Sequence, residues 1–116
     1  MNLESIEKRI LEIKQGLSQI GDMRPGSLSK QYNVCGVAGC SCKNPKSPKR
    51  HGPYYQLSYV HRGKSTTRFV RRDEVKTVKT QLANYKRFRK LMELWISLAL
   101  EHAEISTAQA RAIATK

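Results

Sequence analysis

Acidic residues are nearly missing from the middle of this 116-residue chain: between Arg24 and Lys90 there are two, Asp73 and Glu74, against 17 Lys and Arg. Nucleic-acid hydrolysis by bound Mg2+ needs clustered carboxylates, and two adjacent ones on a helix point in different directions. Long apolar runs are missing as well. The best is Leu94-Trp95-Ile96-Ser97-Leu98-Ala99-Leu100, far short of the roughly 18 residues of a membrane-spanning helix. The N-terminal residues mix Glu and Lys with Ile and Leu, without the continuous apolar core of a secretory signal. Three cysteines without an export signal argue against a disulfide framework. Neither proline nor glycine occurs after Gly63, so nothing there breaks a helix. The chain shows no internal repeat and no low-complexity tract. A soluble, single-domain, cytoplasmic protein is expected, nucleoid-associated if it binds DNA, with no membrane partner.

What is present is positive charge, concentrated. The 17 bases and two acids between Arg24 and Lys90 give that segment +15. Residues 1–20 hold three acids and three bases, residues 91–116 three acids and two bases, and Asp22 completes the net +13. A surface of one sign in one segment wants a polyanion, and nucleic acid is the commonest, because neutralised phosphates release condensed ions. Solubility alone does not call for such a concentration. An acidic protein is the competing partner, the chain then serving as an adaptor.

Leu3, Ile6, Ile10, Ile13, Leu17 and Ile20 alternate in spacings of three and four, which predicts an N-terminal helix over residues 1–22 with a narrow coiled-coil-like seam. Under three heptads are too few for a free coiled coil. The seam is therefore expected to dock on another helix, within the chain or in a homodimer. Gly21 to Gly26 ends the helix. Ser27 to Val34 reads as a strand, and Pro53 to His61 and Thr66 to Arg71 as a hairpin joined by Arg62-Gly63-Lys64. Tyr55, Leu57 and Tyr59 fall on one face of the first hairpin strand, Tyr54, Gln56, Ser58 and Val60 on the other. Asp73 and Glu74 suit a helix N-terminus. A long helix follows over residues 73–105, with Val78, Leu82, Tyr85, Phe88, Met92, Trp95 or Ile96, and Ala99 as its stripe. Ser106-Thr107 marks a break before an Ala-rich tail, residues 106–116. The predicted class is α+β: a helix, a three-stranded antiparallel sheet in residues 23–72 with a zinc-stapled loop, and a long C-terminal helix.

The strongest chemical signal is Cys35-Gly36-Val37-Ala38-Gly39-Cys40-Ser41-Cys42, with His51 eight residues on. Zinc takes four soft or borderline ligands in a tetrahedron, and Cys35, Cys40, Cys42 and His51 supply that number in an otherwise aperiodic stretch. Four protein ligands leave no open position, so the Zn2+ would be structural. His61, at the far end of a strand, and His102, on the distal helix, are poorer fourth ligands. The competing reading is three free thiols or one opportunistic disulfide. Lys43, Lys46, Lys49 and Arg50 would offset thiolate charge and add to the basic surface.

No His-Glu-x-x-His, Gly-x-Ser-x-Gly or phosphate-loop motif is present. Tyr54 or Tyr55 as a recombinase-type nucleophile would need a larger scaffold of Arg and His. No catalytic residue is assigned. For nucleic acid, Arg62 and Lys64 are expected at the hairpin tip and Arg68 and Arg71 on its second strand. Arg72, Lys76, Lys79, Lys86, Arg87, Arg89 and Lys90 are expected along the helix. Ser65, Thr66 and Thr67 would add neutral phosphate donors. A β-ribbon in a major groove with helical bases gripping the backbone is the expected mode, on double-stranded DNA.

Gly26-Ser27-Leu28-Ser29, the cysteine cluster, His51-Gly52-Pro53-Tyr54-Tyr55-Gln56-Leu57-Ser58-Tyr59, Gly63-Lys64 and Arg68-Phe69-Val70 together resemble a family of small prokaryotic proteins of unknown function. Its signature is Cys-Gly-x3-Cys-x-Cys, a zinc-knuckle-like cluster leading into His-Gly-Pro-Tyr-Tyr, a strand pair and a long helix. The resemblance covers about residues 24–100 and implies Cys35, Cys40, Cys42 and His51 as one site. It also implies an accessory or regulator of a mobile genetic element.

Overall fold

In the computed structural model, residues 1–33 and 51–114 are described. The elements are α1 (Leu3–Ser18), β1 (Ser27–Asn33), β2 (His51–His61), β3 (Lys64–Val70), a 3-10 turn at Arg72–Glu74 and α2 (Val75–Ala114). The class is α+β, with a helix, a three-stranded antiparallel sheet in the order β1-β2-β3, and a long C-terminal helix. The chain divides into two compact units. Met1–Asp22 with Asn84–Lys116 form a helical unit, and Met23–Ala83 form a sheet unit. No helix among the described residues is long and apolar enough to cross a membrane.

In the helical unit, Asn2 caps α1, its Oδ1 accepting from the Ser5 N–H at 2.8 Å, which satisfies one of the donors a helix start leaves free. Along the seam, Ile6 and Ile13 are buried and Leu3, Ile10, Leu17 and Ile20 are partly so. Contacts to α2 climb on one helix as they fall on the other. Lys14 Nζ lies 5.2 Å from the Trp95 ring centroid, Glu7 Oε1 3.0 Å from His102 Nε2, and the Met1 amino group 4.0 Å from Glu101. The pair is therefore antiparallel. Of the two stripe candidates, Trp95 is half-buried and Ile96 is exposed.

The expected break at Ser106-Thr107 is not there: α2 runs through both residues to Ala114. Ser and Thr cost only a few tenths of a kcal/mol in a helix, and the alanines that follow are the best helix formers. The Ser106 hydroxyl also lies 3.4 Å from His102 Nδ1, one turn back.

In the sheet unit, Leu57, Val70, Val78 and Leu82 form the buried core, with Leu28, Tyr55, Tyr59 and Val75 packed around it. The first turns of α2 thus cover one sheet face. Strand β2 begins at His51 rather than Pro53, because a one-residue register shift lies between Gln31 and Asn33. Gln31 pairs with Tyr54 but Asn33 with His51, so Gly52 and Pro53 together oppose Tyr32. A bulge is where a strand tolerates proline, whose nitrogen has no hydrogen to give the ladder.

Candidate nucleic-acid interface

The hairpin turn sets the interface. His61 pairs with Lys64, which leaves Arg62 and Gly63 alone in the loop, at φ of 52° and 76°. Two residues of positive φ make a turn whose twist matches the strands, usually built from Asn-Gly. Arg62 sits there against its steric preference, at a cost of order 1 kcal/mol, with its charge held at the tip.

Turn length fixes register, and register fixes faces. With two turn residues, Leu57 pairs with Arg68 and Gln56 with Phe69. Arg68 therefore stands on the α2 side, and Phe69 is 75% exposed on the other. That outer face carries Ser27, Ser58 and Thr67 in one row, Ser29, Gln56 and Phe69 in the next, then Gln31 with Tyr54 and Val60 with Ser65. None of these is charged. The hairpin bases lie at the tip and on the inner face.

On that inner face Arg68 lines two cavities, and Arg24 lines both with it. One, of about 450 Å3, is completed by Pro25, Leu57, Tyr59 and His61. The other, of about 380 Å3, takes in Phe69, Val70, Asp73, Glu74, Thr77 and Val78. The backbone before β1 brings Arg24 there. Its N–H donates to the Gln81 carbonyl at 3.2 Å. Gly26, at φ 126°, runs so close to β2 that a Cβ would stand 2.6 Å from the Ser58 carbonyl oxygen. Arg24 escaped the sequence reading because the Arg-Pro-Gly run reads as a helix stop; the one hint was a glycine just before a strand, a mark of close backbone approach.

Arg71 is differently placed from its expected position on the second hairpin strand. The strand ends at Val70, and Arg71 precedes the 3-10 turn. Its guanidinium lies 3.4 Å from Asp73 and 4.0 Å from Glu74. Both acids of the basic segment are thereby matched by one arginine. All three side chains are more than half exposed, so the contact contributes little to stability.

Arg72, Lys76 and Lys79 are exposed in the sheet unit, and Lys86, Arg87, Arg89 and Lys90 are exposed in the helical unit. Arg89 donates to the Tyr85 hydroxyl at 3.4 Å and lies 3.7 Å from Glu93. The Tyr85 hydroxyl first, and Glu93 after it, push the Arg89 pKa further up from its already high ordinary value. By composition the sheet unit holds 13 bases and two acids, +11, and the helical unit nine bases and seven acids, +2.

Cys35, Cys40, Cys42, Lys43, Lys46, Lys49 and Arg50 lie outside the described residues, and of His51 the backbone alone is described. Among the described residues no three His, Cys, Asp or Glu side chains converge as a metal site would require. His61 lines the larger cavity, and His102 bonds Glu7 in the helical unit. The pairing of Asn33 with His51 brings the two ends of the cysteine-bearing segment to adjoining backbone positions.

A family described as Domain of unknown function (DUF6788) matches residues 3–80, about two thirds of the chain. The chain belongs to this family. The DUF6788 match takes in α1, the whole sheet and the opening of α2, so it begins earlier and ends earlier than residues 24–100. No curated protein and no solved structure matches the chain.

Proposed function

We propose that this DUF6788 protein is a non-catalytic nucleic-acid-binding protein acting on double-stranded DNA. The observation that carries the reading is the imbalance of the sheet unit: 13 bases against two acids, both acids within 4.0 Å of Arg71. Among the described residues, Arg24, Arg62, Lys64, Arg68, Arg72, Lys76 and Lys79 have no carboxylate within 4.0 Å, and a phosphate backbone supplies a counter-charge at regular spacing. Arg62 and Lys64 at the tip, Arg68 on the inner face, and Arg72, Lys76 and Lys79 beyond it are the proposed contacts in this unit. Lys86, Arg87, Arg89 and Lys90 are those in the other. The outer sheet face, uncharged throughout, is not a phosphate-binding surface.

The cysteine-bearing segment belongs to the same reading. Cys35, Cys40, Cys42 and His51 are the proposed ligands of one structural Zn2+. Support comes from the donor set, three thiolates and an imidazole, and from the ladder: Asn33 pairs with His51, and Cys35 follows Asn33 by two residues, about 7 Å of chain at most. Bound metal would tie that segment to the sheet and keep Lys43, Lys46, Lys49 and Arg50 near it.

Equilibrium binding to duplex DNA, single-stranded DNA and duplex RNA across a salt series tests the function. The expected result is preference for duplex DNA, with log K falling against log salt at a slope near −5, as for about six neutralised phosphates. Binding no tighter than millimolar to all three would reject it and leave an acidic protein as the partner.

A further inference from the structure

Of the two cavities on the inner sheet face, the larger is built for an anion. It is lined by Arg24, Arg68 and His61 together with Tyr59, Leu57 and Pro25. No carboxylate lines it. Asp73 and Glu74 line the neighbouring cavity and lie against Arg71. Among the described residues, neither Arg24 nor Arg68 has a carboxylate within 4.0 Å. Two guanidinium groups on one cavity repel each other, and an anion between them reverses the sign of that interaction. Arg24 is also half-buried. It has given up part of its hydration and gains more than a fully exposed base from a bound partner.

The backbone fixes this arrangement in advance. Arg24 is tethered through its N–H to the Gln81 carbonyl. Gly26 lets that strap lie against β2, its would-be Cβ 3.1 Å from Tyr59 Cβ and 3.2 Å from Leu57 Cδ1. Arg68 is set opposite Leu57 by the two-residue turn. The backbone of both arms is thus in place before binding, and the side chains alone remain to be ordered. We propose that Arg24 and Arg68 form a two-armed seat for a single phosphate group, with His61 beside it and the sugar or carbon portion of the ligand against Tyr59, Leu57 and Pro25. Planar guanidinium forks match phosphate oxygens two at a time, which a lysine cannot do. The seat rests on the nucleic-acid reading when the phosphate belongs to a DNA backbone. The same chemistry would hold a free phosphorylated small molecule.

A mutant cycle in the full-length protein separates one shared seat from scattered surface contacts. Arg24→Gln, Arg68→Gln and the double variant are titrated with a 20-base-pair duplex at fixed salt, after thermal melts establish that each is folded. Two arms on one phosphate are coupled: each single change is expected to weaken binding about 10-fold and the double change by little more. The salt slope should fall by about 1, the loss of one neutralised phosphate. Losses that multiply to about 100-fold, or single variants that bind like wild type, overturn the shared seat. If wild-type protein fails to bind duplex at all, the nucleic-acid reading falls by itself. The seat is then judged by inorganic phosphate, followed through the side-chain N–H resonances of Arg24 and Arg68. Saturable, coupled shifts of both, lost in either single variant, uphold it for a small-molecule ligand. Unmoved resonances overturn it.

Discussion

In the helical unit nine bases stand among seven acids, and the seam of α1 buries Ile6 completely; in the sheet unit 13 bases stand among two acids, over a core in which four side chains are buried among the described residues. One unit holds itself together by the usual route, an apolar stripe flanked by charges of both signs. The other carries a self-repelling surface on a small core. Such a surface persists against its electrostatic cost where it meets a partner of opposite sign. A small core persists where something besides packing ties the chain. The two units thus divide the labour: assembly of helices in one, charge and the cysteine segment in the other.

Metal removal should break the symmetry between them most strongly. A chelator, applied to metal-analysed protein carrying one Zn2+ per chain, is expected to abolish the β-sheet signals of residues 27–70 while amide signals of α1 stay dispersed. Structural zinc supplies on the order of 10 kcal/mol to folding, a large share of what a domain of this size has to lose. Sheet signals indifferent to chelation would remove zinc from the account.

Ile6→Ala probes the opposite unit. Truncating a side chain with no exposed surface costs about 2–5 kcal/mol. Thermal melts followed by helical signals should register that loss. Duplex affinity, measured below the new melting point, should be unaltered within about twofold, since no proposed contact touches the seam. An affinity that falls in step with stability would mean the seam takes part in binding.

The smallest and most diagnostic change is Arg62→Asn. Asparagine tolerates the left-handed backbone conformation better than arginine does, so the hairpin should gain about 0.5–1 kcal/mol, read as a higher denaturant midpoint. If the tip contacts phosphate, the salt slope should lose about 1 at the same time. Stability and binding moving in opposite directions at one residue would mark Arg62 as kept for its charge.

Much of the scaffold could be read from residue spacing. The heptad seam from Leu3 to Ile20, the three strands and the long helix all follow from periodicity, and all are present. What spacing left open were quantities of one residue. A bridge of three residues, Arg62-Gly63-Lys64, would have paired Leu57 with Phe69 and turned the arginine outward. The two-residue turn pairs Leu57 with Arg68 instead. Side-chain period in a strand is two, so a single residue in the turn exchanges the chemistry of the two faces. Arg24 lay beyond local pattern altogether, since its place depends on Gly26 running against Ser58 of β2 and on the carbonyl of Gln81, both remote in sequence. Arg71 looked like one more free base until Asp73 and Glu74, read as helix-start residues, proved to face it.

The pairing of Asn33 with His51 has an evolutionary side. The Asn33–His51 pair closes a 17-residue excursion, residues 34–50, at the bulged end of the β1–β2 ladder. In polymer terms that excursion is a closed ring whose ends the sheet already holds together, and doubling such a ring costs only about 0.6 kcal/mol. Residues could thus be gained or lost between Cys42 and His51 without rewriting a single strand or the cysteine spacing. Across the family, the sheet should keep its length and Cys35, Cys40 and Cys42 their spacing, while the stretch between Cys42 and His51 drifts.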